Sequence, residues 1–263
     1  MEEIKIKKKI ITNYLVITFL FSYGLWGIVI VANMFGYLKF GNPLCMTLFF
    51  LGAFGPTISS YFVQKKFGRI TGFKDFIKKT FHFKDSPLSY GLVIFFVVLY
   101  FMYPALRGDI SLEIPIWQAI LLIPFMLIGG GLEEVGWRGV LQPELEKILP
   151  FSIATVITSV IWTMWHIPLF FIDGSSQSYV DFRAFSILLI GLSFAQAIIY
   201  RYSKNVWLCV LFHCSLNALP ATFAFKEGIK TNTGIAIVMV VGALFTLIIW
   251  KILFRKSMKK SIV

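Results

Sequence analysis

The chain has 263 residues, of which 57% are hydrophobic and only 14% are charged, and its mean hydropathy is +0.78. Soluble domains carry about 25% charged residues, so this composition excludes a soluble globular protein and indicates an integral membrane protein. The formal net charge is +12. Basic residues in membrane proteins fix orientation and contact anionic headgroups, so we expect the lipid bilayer as a partner and no nucleic acid.

Charged residues divide the sequence into eight long uncharged runs. A helix needs about 20 residues to cross the hydrocarbon core, and each run reaches or approaches that length. The sequence therefore predicts an all-α, polytopic membrane protein with about eight transmembrane helices, forming a single integral membrane domain over residues 1–263. The runs are Ile10–Leu38, Phe40–Gln64, Ser86–Leu106, Ile114–Leu132, Ile148–Ile172, Ala184–Tyr200, Asn205–Phe225 and Thr231–Trp250.

The distribution of Lys and Arg predicts how these helices are oriented. If both termini are inside, the inner segments hold 20 of the 25 basic residues, and cytoplasmic segments of membrane proteins are enriched in this way. We therefore expect both termini in the cytoplasm. The segment Lys65–Asp85 mixes Phe and Ile with Lys, which predicts an amphipathic helix on the inner leaflet. The inner segments are residues 1–9, 65–85, 133–150, 201–204 and 251–263.

Composition also bears on location and on the cysteines. Abundant Phe, Ile and Lys are typical of an AT-rich bacterial genome, so we expect a multi-pass protein of a bacterial cell membrane. We expect no cleavable signal peptide, because the apolar run after the basic start is too long. Cys45, Cys209 and Cys214 lie in apolar segments without a CxxC spacing, which predicts packing roles instead of disulfides or zinc ligands.

Two adjacent glutamates follow the fourth run, in the sequence "GGGLEEVGWRG". An ionisable residue inside a membrane span costs about 2.5–3.5 kcal/mol, so the pair Glu133 and Glu134 indicates a function. Helix-forming residues continue towards Pro150, so we expect Glu133 below the membrane surface, lining a cavity open to the cytosol. Arg138 follows Glu134 by four residues and can pair with it, which leaves Glu133 free to act as a base.

Two of the three histidines lie in predicted spans. His166 lies about as far after the predicted turn at Pro150 as Glu133 lies before it. Equal distances from the turn of an antiparallel hairpin give equal depth, so we expect Glu133 and His166 to face each other. His82 lies in the basic interfacial segment, and we expect it to be a solvated bystander.

A third helix contributes His213 and Asn217, which share one helix face because they are four residues apart. His213 lies about 14 Å along the helix from Lys204, which is a similar depth. The motif-bearing core is therefore predicted over residues 114–225. The predicted site consists of Glu133, Glu134, Arg138, His166, His213 and Asn217.

These groups predict amide hydrolysis within the membrane. A carboxylate and an imidazole together can deprotonate water, while His213 and Asn217 offer N–H donors to an oxyanion. No Ser or Cys nucleophile is required, and Cys214 points to another helix face. Glu133, His166 and His213 could instead hold zinc with water as the fourth ligand. Because the sequence lacks HExxH, we expect no required cofactor and keep zinc as the alternative.

Three short motifs resemble those of a known family. "EEVGWR" matches EExxxR, "WTMWH" matches FxxxH with Trp162 in place of Phe, and "HCSLN" matches HxxxN. Their spacing and the predicted topology resemble the CPBP family, which comprises CAAX proteases and bacteriocin-processing enzymes and is also called the Abi intramembrane proteases. The resemblance is centred on Gly129–Asn217 and implies an all-helical membrane fold with a conical cavity open to the cytosol.

The resemblance also implies roles for the matching residues. Glu133 and His166 would activate water, and His213 and Asn217 would hold the oxyanion. The second glutamate and the arginine of EExxxR would support the first glutamate. The implied substrate is a hydrophobic or membrane-anchored peptide, for example a lipidated CAAX protein, a bacteriocin or a signalling peptide. The family is often called a metalloprotease family, although its motifs fit a metal-free glutamate mechanism.

Two other classes stay open at this point. A proton-coupled transporter would use Glu and His in its spans, although such proteins often contain inverted repeats and the sequence has no visible repeat. A non-catalytic bacteriocin-immunity or peptide-binding membrane protein would use the same cavity without chemistry. Substitution of Glu133 separates the hydrolase from a scaffold, because a scaffold tolerates it.

Overall fold

A computed structural model describes residues 2–226 and 228–260. Its regular structure is almost entirely helical, which confirms the predicted all-α fold class. One small antiparallel sheet pairs β1 (Ile110–Leu112) with β2 (Phe223–Phe225). The α-helices are α1 (Glu2–Met34), α2 (Pro43–Ala53), α3 (Gly55–Lys66), α4 (Phe73–Thr80), α5 (Pro87–Leu106), α6 (Ile116–Leu122), α7 (Glu134–Gly136), α8 (Gln142–Glu146), α9 (Phe151–His166), α10 (Phe182–Ser203), α11 (Val206–Ala218) and α12 (Ile229–Lys260).

Among the described residues, five helical segments are long and apolar enough to cross a membrane. They lie in α1, α5, α10, α12 and in α9 together with the 3-10 turn that follows it to Phe171. Helices α2 and α3 give a sixth candidate, bent by 43° at Phe54. The polytopic membrane architecture is therefore confirmed, whereas the predicted count of eight spans is not.

The predicted fourth span, Ile114–Leu132, is an interrupted segment. Helix α6 ends at Leu122, a 3-10 turn covers Phe125–Leu127, and a second 3-10 turn begins at Gly131. Pro124 lacks a backbone N–H donor, and glycine is about 1 kcal/mol less favourable than alanine in a helix. The run is apolar, as its hydropathy indicates, but its prolines and glycines interrupt the helix, so it is not the continuous span that was predicted.

The predicted seventh span, Asn205–Phe225, is also shorter than expected. Helix α11 has 13 residues, a 3-10 turn covers Leu219–Ala221, and the chain then enters β2. The pairing of Ile110 with Phe225 joins the α5–α6 connection to the end of this segment. The sheet was not predicted, because strands of three residues are too short for their pattern to be recognised in the sequence.

The chain continues helically beyond Glu133, but with irregular geometry. One α-turn, a π-helix over Trp137–Leu141 and α8 follow one another. Irregular backbone within a membrane must find hydrogen-bond partners in the protein. Helix α3 supplies two of them, because Thr57 donates its hydroxyl to the Leu132 carbonyl at 2.6 Å and Ser60 donates to the Val135 carbonyl at 3.1 Å. A Cβ atom at Gly136 would lie 2.2 Å from the Tyr14 hydroxyl oxygen, so this close packing requires glycine.

The basic segment Lys65–Asp85 is helical only in part. Helix α3 ends at Lys66 and α4 covers eight residues, with Phe76 buried and Phe73 exposed. The backbone N–H of Thr71 and the ammonium of Lys79 hold the pKa of Asp75 below its ordinary value. The amphipathic helix is thus shorter than predicted, and its first turn is tied to the preceding loop through the Asp75 carboxylate.

The helical bundle has two chemically different ends. At the first end, Arg69 pairs with Glu144 at 2.6 Å and Arg201 pairs with Glu146 at 2.7 Å. Stacking of Tyr202 on Trp250 at 4.2 Å places the C-terminal part of α12 at this end. We call it the basic end, and it consists of residues 65–86, 142–150 and 201–205 together with the termini of α1 and α12 that lie near them.

The opposite end consists of the other connections between helices. The β1–β2 pairing brings two of these connections together. The connections over residues 36–42 and 172–181 also contact each other, because a Cβ atom at Gly174 would lie 2.8 Å from the Cβ of Phe40. We call this the loop end, and it consists of residues 36–42, 107–115, 172–181 and 219–226.

Candidate active site

A cavity of about 350 Å³ lies between the helices and holds most of the predicted site residues. Glu133, His166, His213 and Asn217 line it. Apolar and aromatic side chains form most of the remaining wall, among them Phe49, Trp165, Leu188 and Leu192, and Ser176 and Gln177 add polar groups. A few polar groups in an apolar cleft are typical of a site that binds and orients a substrate.

The two adjacent glutamates point in different directions. Glu133 lines the cavity, and its Oε2 accepts a hydrogen bond from the indole N–H of Trp162 at 3.0 Å. Glu134 is fully buried, and its Oε2 lies 2.8 Å from Nη1 of Arg138. The ion pair expected from the four-residue spacing is therefore present, and Glu133 is the member of the pair that faces the cavity.

Arg138 lies behind the cavity wall. It is fully buried and donates to the Ser193 hydroxyl at 3.1 Å. Its guanidinium carbon lies 4.6 Å from the centre of the Trp162 ring, which is cation–π geometry. Arg138 therefore fixes two neighbours of the cavity, the Glu134 carboxylate and the Trp162 ring, without lining the cavity itself.

The hydrogen bonds of His166 determine which ring nitrogen is available. Its Nδ1 lies 2.8 Å from the backbone carbonyl of Trp162. A carbonyl oxygen only accepts hydrogen bonds, so Nδ1 carries the proton and the lone pair of a neutral ring lies on Nε2. Glu133 and His166 come from different segments and line the same cavity, and Trp162 binds both of them.

His213 is held by the second glutamate. Its Nδ1 lies 2.8 Å from Oε1 of Glu134. The family resemblance implies that Glu134 supports Glu133, whereas the contacts place Glu134 against His213. The imidazole ring is therefore oriented by a carboxylate that is itself held by Arg138, and Nε2 of His213 is left to face the cavity.

Asn217 and the glycines before Glu133 complete the polar wall. Asn217 is exposed in the cavity and donates from Nδ2 to the Gly129 carbonyl at 2.9 Å. Gly130 has φ of 124°, a backbone conformation that favours glycine. A Cβ there would lie 3.1 Å from Asn217 Nδ2, 3.1 Å from Glu133 Oε1 and 3.3 Å from His213 Nε2. Three of the predicted groups thus surround the space that the missing side chain leaves open.

Two residues expected to be bystanders lie elsewhere. His82 lines a second cavity at the basic end, and its carbonyl accepts a hydrogen bond from Asn205 at 2.8 Å. Cys214 is buried, with Sγ close to the position that a Cβ of Gly131 would occupy. All three cysteines are buried and unpaired, as the sequence predicts.

The zinc alternative requires Glu133, His166 and His213 to converge on one point. Within residues 2–226 and 228–260, no three His, Cys, Asp or Glu side chains are grouped closely enough to hold a metal ion. The residues present therefore do not fit a zinc site in this arrangement.

The roles of Trp162 and Gly130 were not predicted from the sequence. Trp162 contacts Glu133 and Arg138 and has its ring centre 5.7 Å from those of both His166 and His213. Trp162 stands where the FxxxH motif has phenylalanine, and this difference could have indicated its role, since an indole adds an N–H donor that phenylalanine lacks. Gly130 is one of three consecutive glycines, and such a run indicates a backbone with special geometry or close contacts.

Comparison with known proteins agrees with the motifs. Residues 115–219 match the family described as type II CAAX prenyl endopeptidase Rce1-like. The chain is also similar to a CAAX prenyl protease 2 from Methanococcus maripaludis, with 24% identity over 274 residues that cover 93% of this chain and 94% of the relative. These similarities confirm the resemblance to the CPBP family that the sequence motifs predict.

Proposed function

We propose that this protein is a CAAX-type intramembrane endopeptidase that hydrolyses a peptide bond with water activated by Glu133 and His166. The observation that carries the proposal is the grouping of Glu133, His166, His213 and Asn217 on the wall of one apolar cavity. The match to the Rce1-like endopeptidases supports the reaction class.

Glu133 has the contacts expected of a general base. One carboxylate oxygen, Oε2, is held by the indole of Trp162, while Oε1 lies near the open space at Gly130. The hydrogen bond to Oε2 orients the carboxylate and leaves Oε1 available to accept a proton. In the proposed step, Oε1 takes a proton from water as the water oxygen attacks the carbonyl carbon of the substrate.

His166 assists from a second side of the cavity. Because its Nδ1–H donates to the Trp162 carbonyl, Nε2 can accept a hydrogen bond from the attacking water. Attack converts the carbonyl into a tetrahedral intermediate with a negatively charged oxygen. When the carbon–nitrogen bond breaks, protonated Glu133 returns the proton to the departing amine, so the enzyme regains its starting state.

His213 and Asn217 are placed to stabilise the developing oxyanion. The Glu134 carboxylate accepts from Nδ1–H of His213, and this pairing favours an imidazolium that also carries a proton on Nε2. Asn217 Nδ2 has two N–H bonds, of which one donates to Gly129, so the second can donate to the oxyanion. Such preorganised donors often supply the largest share of catalysis in acyl transfer.

The substrate class follows from the cavity wall and from the relative. Apart from the groups named above and the polar side chains of Ser176 and Gln177, the wall is apolar and aromatic, so it suits a hydrophobic segment or a lipid chain beside the scissile bond. The similar protein from Methanococcus maripaludis is named CAAX prenyl protease 2. We therefore propose a membrane-anchored or lipidated peptide as the substrate.

Quantitative mass spectrometry of membrane-bound and secreted peptides tests the proposal and identifies the substrate. Cells carrying the native protein are compared with cells carrying Glu133→Gln, which keeps an oxygen for the Trp162 N–H bond but removes the base. We expect at least one peptide to accumulate uncut only with Glu133→Gln, and cells with His82→Ala to match the native pattern. Identical peptide patterns in all three strains would contradict a protease.

A further inference from the structure

The second cavity, at the basic end of the bundle, has a volume of about 440 Å³. Its wall comes from α3, α4, the α10–α11 connection and the irregular segment after Glu134. Among the described residues, it shares no lining residue with the active-site cavity. We call it the basic cavity, and it is a space separate from the catalytic groups.

The wall of the basic cavity carries uncompensated positive charge. Three lysines and one aspartate line it, which is a formal excess of two positive charges. Lys79 is already engaged, because its ammonium donates to the Asp75 carboxylate at 3.0 Å and to the Arg69 carbonyl at 2.8 Å. Within the part of the chain that the structure describes, Lys78 and Lys204 form no ion pair. Two ammonium groups are therefore left to attract an anion.

The backbone at Lys204 indicates that a cation is needed at this position. Lys204 ends α10 with φ of 55°, and no other described residue except glycine has a positive φ. This conformation costs about 1–2 kcal/mol for most residues, and glycine or asparagine is usual at such a helix end. The Lys204 ammonium lies 5.9 Å from the centre of the Tyr200 ring, which also lines the cavity. An unfavourable backbone conformation thus holds a cation at the cavity, as is typical of functional positions.

The basic cavity is held in shape by hydrogen bonds within the protein. The side-chain amide of Asn205 donates to the His82 carbonyl at 2.8 Å and to the Asp85 carboxylate at 3.0 Å. Its oxygen accepts from the backbone N–H of Trp207 at 3.1 Å and caps α11. The chain after α4 is thereby fixed against the connection that carries Lys204. A site that is already arranged loses less conformational freedom when it binds a ligand.

An apolar groove of about 480 Å³ begins beside the basic cavity and runs between α5 and α12. Asp85 lies at its polar start and is hydrogen-bonded to Asn205, which lines the basic cavity, so the two spaces are neighbours. Between Leu88 and Phe95 the groove follows α5 for about 10 Å. Its apolar lining residues include Leu88, Leu92, Phe95, Phe245 and Ile249.

We propose that the basic cavity binds the phosphate of an anionic phospholipid and that an acyl chain of the same lipid lies in the groove between α5 and α12. Lysine is a common phosphate ligand, and the two unpaired ammonium groups of Lys78 and Lys204 complement a phosphate charge. Basic pockets between membrane helices bind anionic headgroups in this way. The neighbouring apolar groove favours a lipid over a phosphate compound that is free in solution.

The bound headgroup would rest against the back of the segment that carries the glutamate pair. Val135 and Gly139 line the basic cavity and directly follow Glu134 and Arg138 in the chain. Gln64, also in the wall, donates to the Ser60 hydroxyl at 2.8 Å, and Ser60 donates to the Val135 carbonyl at 3.1 Å. A ligand that binds only the folded protein raises its stability, so the lipid should raise the unfolding temperature.

Lipid titration of the purified, delipidated full-length protein in a neutral detergent tests the proposal without reference to activity. The probes are phosphatidylglycerol, phosphatidylcholine with the same acyl chains, and water-soluble glycerol 3-phosphate. Native mass spectrometry counts bound lipid, and thermal unfolding measures stabilisation. We expect saturable binding of phosphatidylglycerol with a higher unfolding temperature, and neither effect with the other two probes. Absence of saturable phosphatidylglycerol binding would overturn the proposal, and binding of glycerol 3-phosphate with equal affinity would overturn the lipid as its source.

Two double variants of equal charge distinguish the cavity from general attraction of the basic end. Lys78→Gln with Lys204→Asn removes both unpaired cations, and asparagine tolerates the positive φ of position 204. Lys66→Gln with Lys74→Gln is the matched control, because both lysines are exposed at the basic end and neither lines the cavity. We expect phosphatidylglycerol to bind the first variant at least about 10-fold more weakly, a loss of about 1.4 kcal/mol, and the control as it binds the native protein. Equal weakening in both variants would overturn the site.

Discussion

Trp162 donates its indole N–H to the Glu133 carboxylate at 3.0 Å and accepts a hydrogen bond from His166 through its backbone carbonyl at 2.8 Å. One residue thus orients both groups proposed to activate water. The guanidinium of Arg138 packs on the face of the same ring. The proposed base and its partner are therefore connected through a side chain that does not need to touch the substrate's reacting atoms.

Trp162→Phe should reduce the rate of peptide hydrolysis by about 10- to 100-fold. It keeps an aromatic ring and the backbone carbonyl but removes one hydrogen bond to a carboxylate, which is worth about 1.5–3 kcal/mol. Trp207→Phe is the matched control, because its ring packs on Phe81 and Phe83 and does not line the cavity. Rates are measured on purified protein in detergent. Equal losses in the two variants would show that the Glu133 contact has no special role.

Gly130→Ala should abolish most of the activity while the protein still accumulates in the membrane. A side chain at φ of 124° is strained by about 1–3 kcal/mol, and the new methyl group would occupy the space between three catalytic groups. Gly139→Ala is the control, since a Cβ there makes only an ordinary contact at 3.7 Å with Val206. Native activity of the Gly130→Ala protein would show that neither substrate nor water needs to occupy that space during the reaction.

Glu134→Gln should lower both stability and activity. The change removes one charge of a fully buried ion pair and leaves Arg138 without its counter-charge, and breaking such pairs costs about 3–5 kcal/mol. Thermal unfolding in detergent measures the loss. Arg183→Gln removes a partner of the exposed pair with Asp181 and should leave the unfolding temperature nearly unchanged. An unaltered unfolding temperature for Glu134→Gln would contradict the structural role of the buried pair.

Asn217→Ala should retain a low residual activity. Loss of one oxyanion donor typically costs about 2.7–4 kcal/mol, or 10²–10³ in rate. His213→Ala should be more damaging, because it also removes the partner of the Glu134 carboxylate. Single-turnover rates compare these variants with Asn205→Ala, whose side chain binds the backbone of His82 at the basic end. If Asn217→Ala were as active as Asn205→Ala, Asn217 would not be an oxyanion donor.

Hydrolysis should survive treatment with a strong chelator. The Glu133 and His166 side chains are fixed by Trp162, and His213 is fixed by Glu134, in an arrangement that does not bring three ligands to one point. Elemental analysis of the active, chelator-treated protein checks for residual metal. Activity that disappears and then returns with one equivalent of Zn²⁺ would replace the direct water mechanism with a metal-dependent one.

The motifs predicted much of the site because helical spacing is a strong local constraint. A four-residue spacing placed Arg138 against Glu134, and hairpin symmetry placed Glu133 and His166 at one cavity. The pairing of Glu134 with His213 was not predicted, since it depends on the relative rotation of two helices. Local spacing carries no information on that rotation.

The number of membrane spans and the direction of the cavity were the least predictable features. Hydropathy averages over a run and does not register the break at Pro124 or the glycines before Glu133. The Lys and Arg pattern predicts which connections share a side of the membrane, but not which half of each helix lines the cavity. Residues such as Ser176 and Gln177 reveal the direction of the cavity only after the helices are packed.

The most direct test of the proposed mechanism is hydrolysis of an identified substrate peptide in water enriched in ¹⁸O. Purified native protein and His82→Ala should cleave the peptide and place one ¹⁸O atom in the new C-terminal carboxylate, whereas Glu133→Gln should cleave it at a rate near the uncatalysed background. Circular dichroism and thermal unfolding establish that Glu133→Gln is folded. Cleavage by folded Glu133→Gln at the native rate would contradict the assignment of Glu133 as the base that activates water.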